Sequence, residues 1–247
     1  LGLTQSGPQL LTIYGINEIA TAVPVRPRLR IGDEVISGLT MGVLPDPANP
    51  ADEPDGVLGI DVLARYFVVL DRAAMRFELR SADDHAQDYS AWTHASLTPH
   101  ALKDIPLDFW YLRRRYDGVS LMTLFDLGAS ITLLNWPAAE LLGVHERDYR
   151  HLGPPPEELR DVLGADAPAI RILNLDIAIS DMEWQQQLGL VSAAPVFAWF
   201  DLDEKPAVIA GAGLFIDNSL AIDFKGHRLF VGPPVTGAQA KRAGQGQ

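Results

Sequence analysis

A chain of 247 residues, 47% hydrophobic and 21% charged, is long enough to bury one large core or two modest ones, and its composition excludes a disordered protein. A formal charge of −12 makes nucleic acid and anionic membrane surfaces poor partners, and no apolar run reaches the length of a membrane-spanning helix. The lack of cysteine excludes disulfides, thiolate metal sites and cysteine nucleophiles.

Along the chain, short β-prone runs alternate with turn residues. Leu11 to Tyr14, the turn Gly15-Ile16-Asn17-Glu18 and Ile19 to Val23 predict a hairpin; Leu29 to Gly32 with Val35-Ile36 predict a further strand and turn. Residues 45–56, dense in Pro, Asp and Asn, predict an irregular exposed loop. Gly56 to Leu63 returns to the core, and Phe67 to Asp71 with Met75 to Leu79 predict a closing hairpin. Residues 83–104 are polar and predict a linker. His85, His94 and His100 lie there at spacings of nine and six, which fit no helical ligand face, so neither a metal nor another cofactor is expected. In so acidic a chain, Arg113-Arg114-Arg115 beside Tyr111 and Tyr116 predicts a solvated hairpin edge and not a nucleic-acid contact.

The second half repeats the first. Val208 to Leu214 matches Val57 to Leu63, and Leu220 to Asp223 with Arg228-Leu229-Phe230 matches Val68 to Asp71 with Arg76-Phe77. In both copies an arginine falls five positions after an aspartate, 71 to 76 and 223 to 228. Upstream, Val162-Leu163-Gly164 matches Ile13-Tyr14-Gly15, and Ile177-Ala178-Ile179 matches Leu29-Arg30-Ile31. A steady offset near 150 points to tandem duplication of one β-rich unit. Gly211-Ala212-Gly213 after an apolar strand is no dinucleotide fingerprint: the third glycine and the βαβ alternation are both missing.

The chemistry concentrates in Leu124-Phe125-Asp126-Leu127-Gly128-Ala129-Ser130 and the run Ile131 to Leu134, which predict a buried strand ending in an acid, a sharp turn, and a second strand. A carboxylate at the end of an apolar strand is costly unless donors surround it. Gly128 lets the backbone fold back, so nearby amides and the Ser130 hydroxyl are placed to meet the Asp126 oxygens. An ordinary Asp-Gly turn has the same composition.

The Asp-x-Gly-Ala-Ser turn, the strand after it and the short helix from Trp136 to Val144 resemble the active-site turn of the aspartic proteases, and the flanks resemble above all the retropepsin-like aspartyl proteases of bacteria. In that family two hydrophobic residues and a glycine pack beside the turn. Val57 to Leu63 resembles this second signature, and Val208-Ile209-Ala210-Gly211 is a weaker copy. The resemblance covers roughly residues 1–82 and 105–232. It implies an all-β, pepsin-like acid protease fold of two pseudo-symmetric, β-barrel-like lobes with short helices. The N-terminal lobe would span 1–82, the linker 83–104, the C-terminal lobe with the Asp126 turn 105–232, and a flexible tail 233–247.

The activity implied is that of an aspartic endopeptidase, in which two carboxyls share one proton across a bound water and act on a peptide or protein substrate. Asp126 would be one of the pair, with Leu127, Gly128, Ala129 and Ser130 completing its turn. Tyr14, Gly15 and Ile16 would lie in a flap over bound peptide. Leu142-Gly143-Val144 begins 16 residues after Asp126 and matches Leu1-Gly2-Leu3, so the partner acid is expected 16 residues ahead of Leu1. One residue departs from the family pattern: Leu127 stands where a Thr or Ser hydroxyl usually ties the two catalytic turns together. That departure supports an alternative, a catalytically inactive relative that keeps a peptide-binding cleft. The duplication favours a monomer over a homodimer in which two copies of Asp126 meet. Localisation is not readable from these residues; the resemblance implies a periplasmic or secreted protein.

Overall fold

A computed structural model describes residues 10–15, 19–44, 56–83, 89–102, 105–148, 158–160, 166–168 and 171–235. The architecture is all-β with a few short helices. β1 (Leu11–Tyr14) and β2 (Ile19–Val25) form an antiparallel hairpin with Tyr14 opposite Ile19, as the sequence predicts. β3 (Leu29–Ile31) and β4 (Glu34–Ile36) form a ribbon around Gly32, whose φ of +58° suits the tight turn. β5 (Met41–Val43) adds to β2, and helix α1 (Ile60–Leu63) precedes the hairpin of β6 (Tyr66–Asp71) and β7 (Arg76–Ser81).

β8 (Thr93–Ser96) and β9 (Thr98–Leu102) follow, inside the stretch read as a linker. β8 pairs with the last described strand and β9 with the next strand along. Their polar sequence hides them because alternate residues face water, as in half-buried strands. The long β10 (Ile105–Tyr116) turns through Asp117-Gly118, both at positive φ, into β11 (Val119–Phe125), then β12 (Thr132–Leu134) and helix α2 (Trp136–Leu141). A short pair, β13 (Glu158–Arg160) and β14 (Asp166–Pro168), precedes the hairpin of β15 (Arg171–Ile179) and β16 (Met182–Val191). Helix α3 (Val196–Trp199), β17 (Ala207–Ala210), a 3-10 turn over Ala212–Phe215, β18 (Asn218–Asp223) and β19 (Arg228–Pro234) end the described fold.

β10, β11, β17, β12, β16 and β15 close into a six-stranded barrel, because β11 pairs back onto β10. β12 and β17 are buried along their whole length, which explains why they read as unbroken apolar runs and not as alternating strands. A second sheet, in the order β7-β6-β18-β19-β8, joins hairpins from the two halves. The main apolar cluster lies between them, with Val68, Leu220, Ile222 and Leu229 packed with Leu112, Tyr116, Leu134 and Ile177.

The hairpin registers repeat. Shifted by 148, the six residue pairs of β2–β5 and β3–β4, from Val23↔Val43 to Ile31↔Glu34, fall on Arg171↔Val191 to Ile179↔Met182 of β15–β16. Shifted by 152, Asp71↔Arg76 becomes Asp223↔Arg228, and Val68↔Leu79 becomes Leu220↔Val231. The two copies also pair with each other about a local two-fold: under the same shift Val69↔Ala221 maps onto itself, and Val68↔Ile222 exchanges with Leu70↔Leu220.

The arginine run needs a correction. Arg113 and Arg115 are exposed, but Arg114 is 1% exposed. β10 is no edge: it has partners on both sides, and the alternation of a strand sends residue 114 inward with Leu112 and Tyr116.

Candidate active site

β17 threads between β11 and β12, parallel to the first (Phe125 opposite Ala210) and antiparallel to the second (Leu133 opposite Ile209). The connection 126–131 therefore bridges the end of β17, and the backbone is tied on both flanks. The Asp126 amide donates to the Ala210 carbonyl (3.1 Å), the Ala212 amide to Ala129 (2.7 Å) and the Gly213 amide to Ser130 (3.1 Å). A Cβ on Gly211 would lie 2.5 Å from the Ile131 oxygen and 2.7 Å from the Ala129 oxygen. The glycines after β17 thus serve the close approach of two backbones.

The Asp126 carboxyl is half-buried, and the Gly128 amide donates to its Oδ1 at 2.8 Å. Burial raises its pKa above the ordinary carboxylate value, and the amides of Gly128 and Ala129 offset part of that rise by favouring the ionised form. The holding donors are backbone amides; Ser130 is exposed and makes no hydrogen bond to Asp126. Leu127 packs against the main cluster with Trp136, Leu142 and Val144. A pocket beside the turn is lined by Ser130, Ile131, Thr132, Gln187, Leu188 and Gly213.

The other aspartates named by the repeat do structural work. Asp61 sits in the first turn of α1; Asp71 accepts from the Ala74 amide at 3.1 Å; Asp223 accepts from the Gly226 amide at 2.6 Å and from Arg228 at 2.8 Å. Of the flap residues, Tyr14 closes β1, Gly15 is buried, and Ile16 lies outside the described residues. Among the described residues, the apolar clusters around the 126–130 turn contain none from the β1–β2 hairpin. Of the linker histidines, His94 lies over Phe230, His100 stands edge-on to Tyr111, and His85 is outside the described residues. Among the described residues no three acidic or histidine side chains gather as metal ligands.

Of two residues that matter here, Asn135 was missed from the sequence and Arg114 was expected in solvent. Asn135 caps α2 by accepting from the Ala138 amide (3.0 Å), accepts also from Ala207 (3.1 Å), and donates to the Leu202 and Lys205 carbonyls (2.7 and 2.6 Å). An Asn two residues before Pro137 is the available signal. Arg114 places its guanidinium 4.8 Å from the Phe215 ring centre, and its three side-chain nitrogens have no hydrogen-bond partner. Burial lowers its pKa to about 10. Phe215 stands edge-on to Phe125, the residue before Asp126, at 5.9 Å.

No family model and no curated protein matches the chain. Solved structures similar to it include a retropepsin-like aspartic protease from Rickettsia conorii, 17% identical, covering 56% of this chain and 92% of that one with a TM-score of 0.35. Conglutin gamma from lupine seeds, a basic 7S globulin, is 12% identical over 89% of this chain and 68% of its own, TM-score 0.44. Basic 7S globulin from soybean is 11% identical, TM-score 0.34; the match covers 70% of this chain and about half, 52%, of the globulin.

Proposed function

We propose that the protein is an aspartic endopeptidase whose Asp126 is one of two carboxyls that activate a water, the second lying outside residues 1–247. The observation that carries the reading is the half-buried Asp126 carboxyl, held by the Gly128 amide on a turn that backbone bonds fix on both flanks, with its proton affinity raised by burial. In the reaction, the ionised carboxylate takes a proton from water as the water oxygen attacks the peptide carbonyl. The protonated carboxyl gives its proton to the carbonyl oxygen, and collapse of the tetrahedral intermediate breaks the C–N bond with proton transfer to the leaving amine. Two adjacent carboxyls cannot both ionise, which keeps one proton in the pair. Substrate would lie extended beside the turn, with the β1–β2 hairpin contributing backbone groups through Tyr14, Gly15 and Ile16.

A second reading, an inactive peptide-binding relative, draws on Leu127, which packs into the apolar cluster and offers no hydroxyl to a facing turn. Cleavage of an unstructured protein by the polypeptide carrying its natural N-terminal extension, at acid and neutral pH, separates the two. The expected result is hydrolysis that Asp126→Asn lowers at least a thousandfold; hydrolysis unchanged in that variant would remove Asp126 from the mechanism.

A further inference from the structure

The chain leaves the Asp126 turn along one wall of the pocket beside it. Ser130, Ile131 and Thr132 form that wall, Gln187 and Leu188 of β16 supply a second, and Leu214 of the 3-10 turn adds to the lining. The cavity measures about 170 Å³. An apolar cavity of about 150 Å³ holds a benzene molecule, so there is room for one medium-sized side chain. No lining residue carries a charge. Thr132 is 3% exposed, yet its hydroxyl has no hydrogen-bond partner among the described residues. It lies opposite Gly189, which brings no side chain to it. The Ser130 hydroxyl is likewise unbonded among the described residues. Gln187 donates from its side-chain amide to the Gln185 carbonyl at 2.9 Å, which leaves its side-chain oxygen as an acceptor. A buried hydroxyl is costly to leave without a partner, so the pocket calls for an occupant that forms hydrogen bonds.

We infer that this pocket is a specificity subsite that takes an Asn or Gln side chain of the bound peptide, at one position to the side of the cleaved bond. A carboxamide carries two N–H donors and an oxygen acceptor, so it can accept from the Thr132 hydroxyl on one wall and donate to the Gln187 oxygen on the other. Its methylenes suit the apolar surfaces of Ile131, Leu188 and Leu214. A Leu or Val side chain would fill the volume but seal the Thr132 hydroxyl away from any partner, and a carboxylate or ammonium would be desolvated with no opposite charge. A Ser side chain would leave most of the volume empty. The inference deepens the endopeptidase reading and rests on its placing of peptide beside the Asp126 turn.

Selection from a random peptide library tests it. The bait is the full-length protein carrying Asp126→Asn, so that the readout is binding without hydrolysis. Asn and Gln should be enriched roughly tenfold at one position of the retained peptides. Thr132→Val, added to the bait, should cancel that enrichment and raise Val and Leu at the same position. Gln187→Leu, a change at a half-buried position on the other wall, should weaken the preference independently. The inference is overturned if no position is enriched in Asn or Gln, if aliphatic, charged or hydroxyl side chains are enriched in their place, or if neither substitution changes the preference. Cleavage by the unsubstituted protein reads the other claim. Selection of Asn or Gln by a protein that hydrolyses nothing would keep the subsite and refute the endopeptidase; hydrolysis with no such selection would do the reverse.

Discussion

At the scale of single residues, Asp126 and Arg114 are two charges that the fold treats differently. The Asp126 pKa is raised on folding, so the folded state binds its proton more tightly than the unfolded state does. Its contribution to stability is therefore greatest below the unfolded carboxylate pKa and is lost as pH rises through the folded value. Asp126→Asn removes this dependence, and the difference in urea stability between variant and parent should shift in the variant's favour from pH 3 to pH 7; a difference constant with pH would show that burial does not perturb the group. Arg114 is a guanidinium with an aromatic face but no hydrogen-bonding partner. An unpaired buried charge is a net cost, so Arg114→Met, similar in length and apolar, should raise unfolding free energy by about 1–4 kcal/mol in urea titration. A loss of that size would mean that the charge is solvated or paired inside the barrel.

At the scale of elements, the site depends on how α2 and β17 are joined to the turn. Asn135 holds the start of α2 and the segment from Leu202 to Ala207 with one side chain. Asn135→Ala loses the helix cap and strands buried backbone groups, which should cost about 2–4 kcal/mol by thermal or denaturant unfolding. Because β17 is hydrogen-bonded on both sides, the loosening should spread to the Asp126 turn and show as faster amide exchange at Gly128 and Gly213. The β2–β5 and β15–β16 comparison shows the same physics in reverse. The pairing register repeats, yet Gly56 to Leu58 stays irregular where Val208 to Ala210 is strand, because only the latter has strands on both flanks.

For the whole molecule, the sheet shared by the two halves decides stability. β6 and β18 pair about the local two-fold, and Val69, Ala221 and Ile222 are at most 2% exposed. Their amides should exchange only on global unfolding, whereas the β3–β4 ribbon, with Glu34 and Val35 exposed, should open locally at much lower free energy. Exchange of β18 as fast as residues 34–36 would show that the halves separate without unfolding. This shared sheet also means that the two halves are not joined by a linker alone, since β8 from residues 83–104 extends it beside β19.

What the sequence alone determined is what local chemistry and repetition encode. Asp-x-Gly places an acid at a turn, the period-2 runs predict β1–β2 and β6–β7, and the constant offset near 150 reports a duplication that the hairpin registers reproduce pair by pair. What only the tertiary structure decided is which neighbours those elements meet. The inward direction of Arg114, the strands hidden in a polar stretch and the four bonds of Asn135 depend on long-range pairing. Burial is a property of the strand that arrives from elsewhere in the chain, and no window of local sequence contains it.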